Sequence, residues 1–278
     1  MGSIPGVEEV AARLRVRPAR GLLMVHNETS TGRLQPVAAW AEAARAALPD
    51  ILCVADAISS VPSAPLDMDA AGIDVALAAS QKGFMAPPGL GLVALGARAL
   101  EALRKERPGR MYFDLPGYVD HHWVSTPVIA HWYALEASLA LLAEEGDEAR
   151  YARHAAMGRL VRAAGRAMGL TPLAPEDAAS PTVTVLGVPQ GLTAPRVIAQ
   201  ARLYGAALAG AMGPWADRAV RIGHVGAVTP LDMMAAVSAL EAAVHDLCAE
   251  TGTPAPAPQG AGVAAALAVL RSHGTLAR

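Results

Sequence analysis

The chain has 278 residues, 23 of them basic and 25 acidic, for a formal net charge of −2. That balance argues against a broad nucleic-acid surface, because phosphate binding draws on clustered positive charge. With 53% apolar and only 17% charged residues, the composition is the reverse of a disordered chain, and no apolar run is long enough to span a bilayer.

Gly21–Val25 is a short apolar run that ends in the polar cluster His26-Asn27-Glu28-Thr29-Ser30-Thr31-Gly32. Val37, Trp40, Ala41, Ala44 and Leu48 then recur at helical spacing, so a helix is expected over Gln35–Leu48. Ile51–Ala55, Ile73–Ala79 and Leu90–Leu95 are continuous apolar runs of strand length. A helix alternating with such runs predicts an α/β layering, with a mixed, mainly parallel sheet covered on both faces. The pattern changes near Tyr133. Leu135, Leu139 and Leu142 mark one helix, and Met157, Val161, Ala164 and Met168 mark another that stops at Gly169. Thr182–Val188 and Ala219–Ile222 read as strands. Thr229-Pro230-Leu231-Asp232 has the hydroxyl, proline and acid that open a helix. The organisation expected is a large α/β domain over 1–145, a smaller α+β domain over 146–250, and a Pro/Ala-rich linker with a terminal helix over 251–278. Two cysteines, Cys53 and Cys248, give no disulfide framework and fit a reducing compartment. Residues 1–20 lack a signal-peptide pattern, so a cytoplasmic protein is expected.

Ligands of such sheets bind beyond the carboxyl ends of the strands. Three polar clusters follow the first three apolar runs: His26-Asn27-Glu28-Thr29, Asp56, and Ser80-Gln81-Lys82. A lysine there, partly desolvated, is suited to Schiff-base chemistry. An acid there could hold a pyridinium nitrogen protonated. Read from spacing alone, a salt bridge or solvated loop residues are the more ordinary account, since a strand-end Asp and Lys occur in many α/β proteins. No metal site is expected. Asp67-Met68-Asp69 begins like a calcium loop but lacks its later ligands, and His121-His122 point apart in regular structure. Gly89-Leu90-Gly91 precedes a strand and reads as a turn.

The segments Val25–Gly32, Val54–Ser60 and Asp74–Lys82 resemble, in order and spacing, the class V aminotransferases that depend on pyridoxal 5′-phosphate (PLP). The alanine–glyoxylate and serine–glyoxylate branch fits best, and Ser-Gln-Lys followed by Pro87-Pro88-Gly89 favours it over cysteine desulfurases. The resemblance implies the large domain of the PLP-transferase fold, and assigns Lys82 as the Schiff-base lysine and proton carrier. It makes Asp56 the partner of the pyridine nitrogen, with Ile58 against one ring face, Thr29 near the ring hydroxyl and Gln81 near the phosphate. Thr126 would reach the phosphate of a neighbouring subunit, which implies a homodimer, and Arg221 would grip the substrate carboxylate. The implied reaction transfers an amino group from alanine or serine, or alternatively ureidoglycine, to glyoxylate or a similar 2-oxo acid. Proteins of this type carry a substantial segment before the equivalent of Val25, including a Gly/Ser-rich phosphate loop and an aromatic residue stacked on the ring. Here 24 residues precede Val25 and none supplies such a loop. The large domain is therefore expected to be partial. The alternative is a truncated, non-catalytic fragment, or one part of a split enzyme whose second polypeptide supplies that segment.

Overall fold

Two apolar helical stripes near the amino end, Val10-Leu14 and Val37-Trp40-Ala41-Ala44, close over strands that are buried on the same side. The computed structural model describes residues 4–105, 111–121 and 125–272. Its first part runs α1 (Val7–Val16), β1 (Gly21–Val25), β2 (Asn27–Glu28), β3 (Arg33–Leu34), α2 (Val37–Ala47), β4 (Leu52–Asp56), β5 (Val75–Ala79), β6 (Gly91–Leu95) and α3 (Ala97–Lys105). The sheet has the order β1-β4-β5-β6, with β1, β4 and β5 mutually parallel and β6 antiparallel to β5. Residues 80–90 are too short a connection for a crossover helix, so β6 can only return alongside β5.

Strand alternation sets the two faces of this sheet. Met24, Cys53 and Ala55 turn toward α1 and α2 and are buried. Leu23 and Val93 turn to the opposite face, where Leu23 is 80% exposed. Strands β4, β5 and β6 begin one or two residues later than the apolar runs do. Ile51 belongs to the core, but its N–H bonds to Leu48 O in the turn after α2. Asp74 is buried and its carboxylate accepts from the Cys53 N–H at 2.7 Å and from Arg45 at 2.8 Å.

The chain continues through α4 (Leu115–His121), α5 (Ile129–Glu145), α6 (Asp147–Ala167), β7 (Thr171–Pro172), β8 (Val183–Gly187), α7 (Ala194–Leu203), β9 (Ala209–Gly210), β10 (Ala219–Gly223), α8 (Pro230–Thr251) and α9 (Ala261–Ser272). On α5 the buried stripe is Leu135, Ser138 and Leu142. That leaves Leu139, about 100° further round the helix than Ser138, 47% exposed. The second sheet, β7-β8-β10-β9, is antiparallel throughout. Leu160, Val161, Leu186, Val220, Val237 and Leu240 form its core with α6 and α8. Gly165 lets α6 approach closely, since a Cβ there would lie 2.6 Å from Leu186 Cδ2. Thr229 and Asp232 cap α8 reciprocally. Ala266 and Leu270 of α9 join the same core. Among the described residues no helix is long and apolar enough to cross a membrane.

Candidate active site at the sheet edge

Asp56 is the last residue of β4, and it lies opposite Val25 of β1 and Leu77 of β5. Its carbonyl accepts from the His26 N–H at 2.8 Å, and the Ala57 N–H donates to Leu77 O at 2.9 Å. The backbone is thus fixed on both sides at the point where the strands end. The side chain is half-buried, and its Oδ1 accepts from the Ile58 N–H at 3.0 Å, an Asx turn that fixes the carboxylate at the strand end. Among the described residues no cation pairs with it.

Lys82 sits in the turn that follows β5. Ser80 anchors this turn by donating to Pro87 O at 2.6 Å and accepting from the Leu90 N–H at 3.2 Å. The Met85 N–H closes back on Lys82 O at 3.0 Å, with Met85 at φ 58°, a sparsely populated conformation for a bulky residue that the surrounding contacts must hold. The Lys82 side chain is half-buried, and among the described residues its ammonium has neither an ion-pair nor a hydrogen-bond partner. The chain contains just two lysines, Lys82 and Lys105. Lys105 is exposed and paired with Glu101 at 2.7 Å.

Arg221 comes from the second sheet. Its neighbours Val220 and Ile222 turn into the core, so strand alternation sends the guanidinium the other way. Nε donates to Gly210 O at 2.7 Å, and Nη1 reaches Thr29 Oγ1 at 3.4 Å. The structure therefore brings Asp56, Ile58 and the segment holding Thr29 together, and ties Arg221 to Thr29. Gln81 is exposed. Thr126 is also exposed and has no hydrogen bond to the others. Trp123, in the approach to Thr126, lies outside the described residues.

Several polar groups beside these positions have partners that the local sequence does not indicate. Asn27 donates to Ser59 Oγ and to Thr182 Oγ1, both at 2.9 Å, joining the two sheets behind Thr29. His26 pairs with Ser60 at 2.9 Å. His224 pairs with Thr184 at 2.9 Å, and His154 accepts from the Gly226 N–H at 3.1 Å. Burial lowers the pKa of His26 and His154 to about 4, and that of His224 to about 3, from an ordinary 6.5. All three are neutral in the fold, and the unfolded chain takes up protons that the fold refuses once pH drops below 6.5. Stability is therefore expected to fall with pH through that window, by on the order of 2 kcal/mol per residue at pH 5. Urea midpoints measured at pH 7 and pH 5 test this; equal midpoints would contradict it.

Residues 5–185 match the model of the aminotransferase class-V family. The chain is 35% identical to the soluble hydrogenase small subunit of Synechococcus sp. over 261 residues, which covers 92% of this chain and 66% of that protein. It is also 35% identical to the serine–glyoxylate aminotransferase of Methylorubrum extorquens over 282 residues, covering 96% of this chain and 68% of the other. The crystal structure of ureidoglycine–glyoxylate aminotransferase from Bacillus subtilis superposes with a TM-score of 0.87 at 28% identity, over 97% of this chain and 70% of that one. The chain thus spans about two thirds of the length of the curated relatives it matches.

Proposed function

The chain belongs to the class V aminotransferases, and on that footing we propose that it transfers an amino group from alanine or serine to glyoxylate or a similar 2-oxo acid, using PLP. The observation that carries this reading is an unpaired, half-buried lysine at the same strand ends as a carboxylate with no cation partner among the described residues. The residues fit the ring and aldehyde of the cofactor. Lys82 offers a free amine, Asp56 has an oxygen left for a protonated ring nitrogen, and Thr29 has a hydroxyl hydrogen to donate while accepting from Arg221. When bound, PLP supplies an electrophilic aldehyde and an electron-withdrawing ring.

Lys82 would hold the cofactor through its aldehyde and, once the amino substrate takes its place, would be the group that moves a proton at the substrate Cα. Asp56 keeps the ring nitrogen protonated. Ile58 would lie against one face of the ring and exclude water there, Gln81 would reach the phosphate, and Thr126 would reach the phosphate of the neighbouring subunit. Arg221 orients the substrate by a two-point grip on its carboxylate, which a lysine cannot match. Arg221→Lys is accordingly expected to raise KM for both substrates by about tenfold to a hundredfold while kcat moves less. Steady-state kinetics with alanine and serine as donors check this and the donor choice together. Ureidoglycine, named for the Bacillus subtilis relative, is the alternative donor. The function itself is tested by following glycine formation from glyoxylate and either amino acid. No glycine from a PLP-loaded chain would overturn it.

The reading includes a homodimer. Thr126 stands exposed beside exposed Val128, Ile129 and Tyr133, an apolar surface of the kind that marks association. A light-scattering mass of twice 28.5 kDa is expected, and a stable monomer would count against it. A second reading is favoured by the open sheet face at Leu23 and Val93: the chain works with a second polypeptide that covers this face and completes the phosphate site. Weak PLP binding by the well-folded chain alone, tightened by such a partner, would support it.

A further inference from the structure

The first two turns of α6 hold the segments on either side of Lys82. Arg150 donates from Nε to Pro62 O at 2.8 Å, in the loop that follows Asp56. Arg153 donates from Nη1 to Gly226 O at 2.9 Å and to Val228 O at 3.2 Å, in the loop that follows Arg221, and is itself paired with Glu145. His154 Nε2 accepts from the Gly226 N–H at 3.1 Å, so its Nδ1 carries the hydrogen and donates to Arg150 O at 2.8 Å. Both backbone polar groups of Gly226 are thus held by side chains of one helix.

The Lys82 turn is wedged between these two loops. A Cβ on Gly226, at φ +84°, would lie 3.3 Å from Lys82 O and 3.2 Å from Met85 Cγ. On the other side, a Cβ on Gly83 would lie 2.7 Å from Ser63 Oγ and 2.8 Å from Pro62 Cδ. The Gly226 backbone therefore lies close to Lys82 O and the Met85 side chain, and the Gly83 backbone close to the Pro62 ring and the Ser63 hydroxyl, so both loops pack tightly on the turn. A displacement of either loop passes to Lys82 directly. The low pKa of His154 agrees with this role, since a protonated imidazole has no lone pair to accept the Gly226 N–H.

We propose that His154 is a positioning residue that, through Gly226, seats the Lys82 turn against the loop following Arg221 and so fixes the reactive amine relative to the carboxylate grip. This rests on the reading of Lys82 as the reactive amine. Without the imidazole acceptor, the Gly226 N–H is left buried and unpaired, and the loop moves to satisfy it. The seat of Lys82 then loosens while Arg221 keeps its own strand position and its bond to Gly210.

The test uses the full chain without cofactor. Lys82 and Lys105 are methylated with formaldehyde and cyanoborohydride, and their rates are compared by peptide mass, with Lys105 as the internal reference. His154→Ala is expected to raise the Lys82-to-Lys105 ratio by about threefold to tenfold, the scale of one lost hydrogen bond. His154→Gln, which can offer an amide oxygen to the same N–H, is expected to restore the ratio. Should His154→Ala not melt cooperatively, Gly226→Ala pushes on Lys82 O without touching the histidine and must change the same ratio. In loaded protein, His154→Ala should lower kcat and leave KM for glyoxylate nearly unchanged. An unchanged ratio in folded His154→Ala and Gly226→Ala protein, or a Gln variant no better than Ala, overturns the proposal. Failure of Lys82 to react with PLP in the wild-type chain overturns the enzymatic reading instead, and leaves the methylation result standing.

Discussion

Lys82→Ala is expected to reduce turnover by about 10⁴-fold, the upper range for a single acid–base group, since one amine serves as both nucleophile and proton carrier. The visible absorbance that PLP gains on binding to the wild-type chain should vanish in the variant. The fold should survive, because the Lys82 ammonium has no partner among the described residues and its turn is held by the Ser80 hydroxyl and the Met85 N–H. Lys82→Arg separates charge from nucleophilicity: it keeps the cation, lacks a free amine at neutral pH, and should be as inactive as the alanine variant. Variants that melt like wild type and retain turnover would remove Lys82 from the mechanism.

Asp56→Asn is the second large effect. The amide keeps an oxygen for the Ile58 N–H, so the turn after β4 survives. What it loses is the negative charge that would hold the ring nitrogen protonated. Removing one member of a partly buried charge pair costs about 3–5 kcal/mol, so kcat should fall by about 10³-fold with the melting temperature little changed. Asp56→Ala should lose both turnover and the Asx turn, and with it some stability. Equal kcat values for Asp56→Asn and wild type would contradict the role given to this carboxylate.

Much of this site is legible in the sequence because its parts sit where strands stop. Val25, Asp56 and Ala79 are each the last residue of a parallel strand, so the polar residues after them gather at one edge. Arg221 is legible through its flanks, Val220 and Ile222, whose burial dictates where it points. The contacts that assemble the site are another matter. Arg221 meets Thr29 across 192 residues, Asn27 meets Thr182 across 155, and Gly226 meets His154 across 72. No local spacing encodes those pairings. Nor does periodicity separate Leu139 from Leu135 and Leu142, because a three-residue stripe leaves the facing angle of a helix uncertain by a full residue step. The open sheet face at Leu23 is equally invisible, since a continuously apolar strand reads the same whether one face is covered or two.

A role for Lys82 as the amine of a PLP site is directly measurable, because the chain has just two lysines. Two lysines and the amino terminus are the primary amines available to an aldehyde. The chain is mixed with one equivalent of PLP, reduced with borohydride and mapped by peptide mass. A pyridoxyl group on Lys82, with Lys105 unmodified, is the predicted result. Equal modification of Lys82 and Lys105, or none at Lys82 in folded protein, would contradict it.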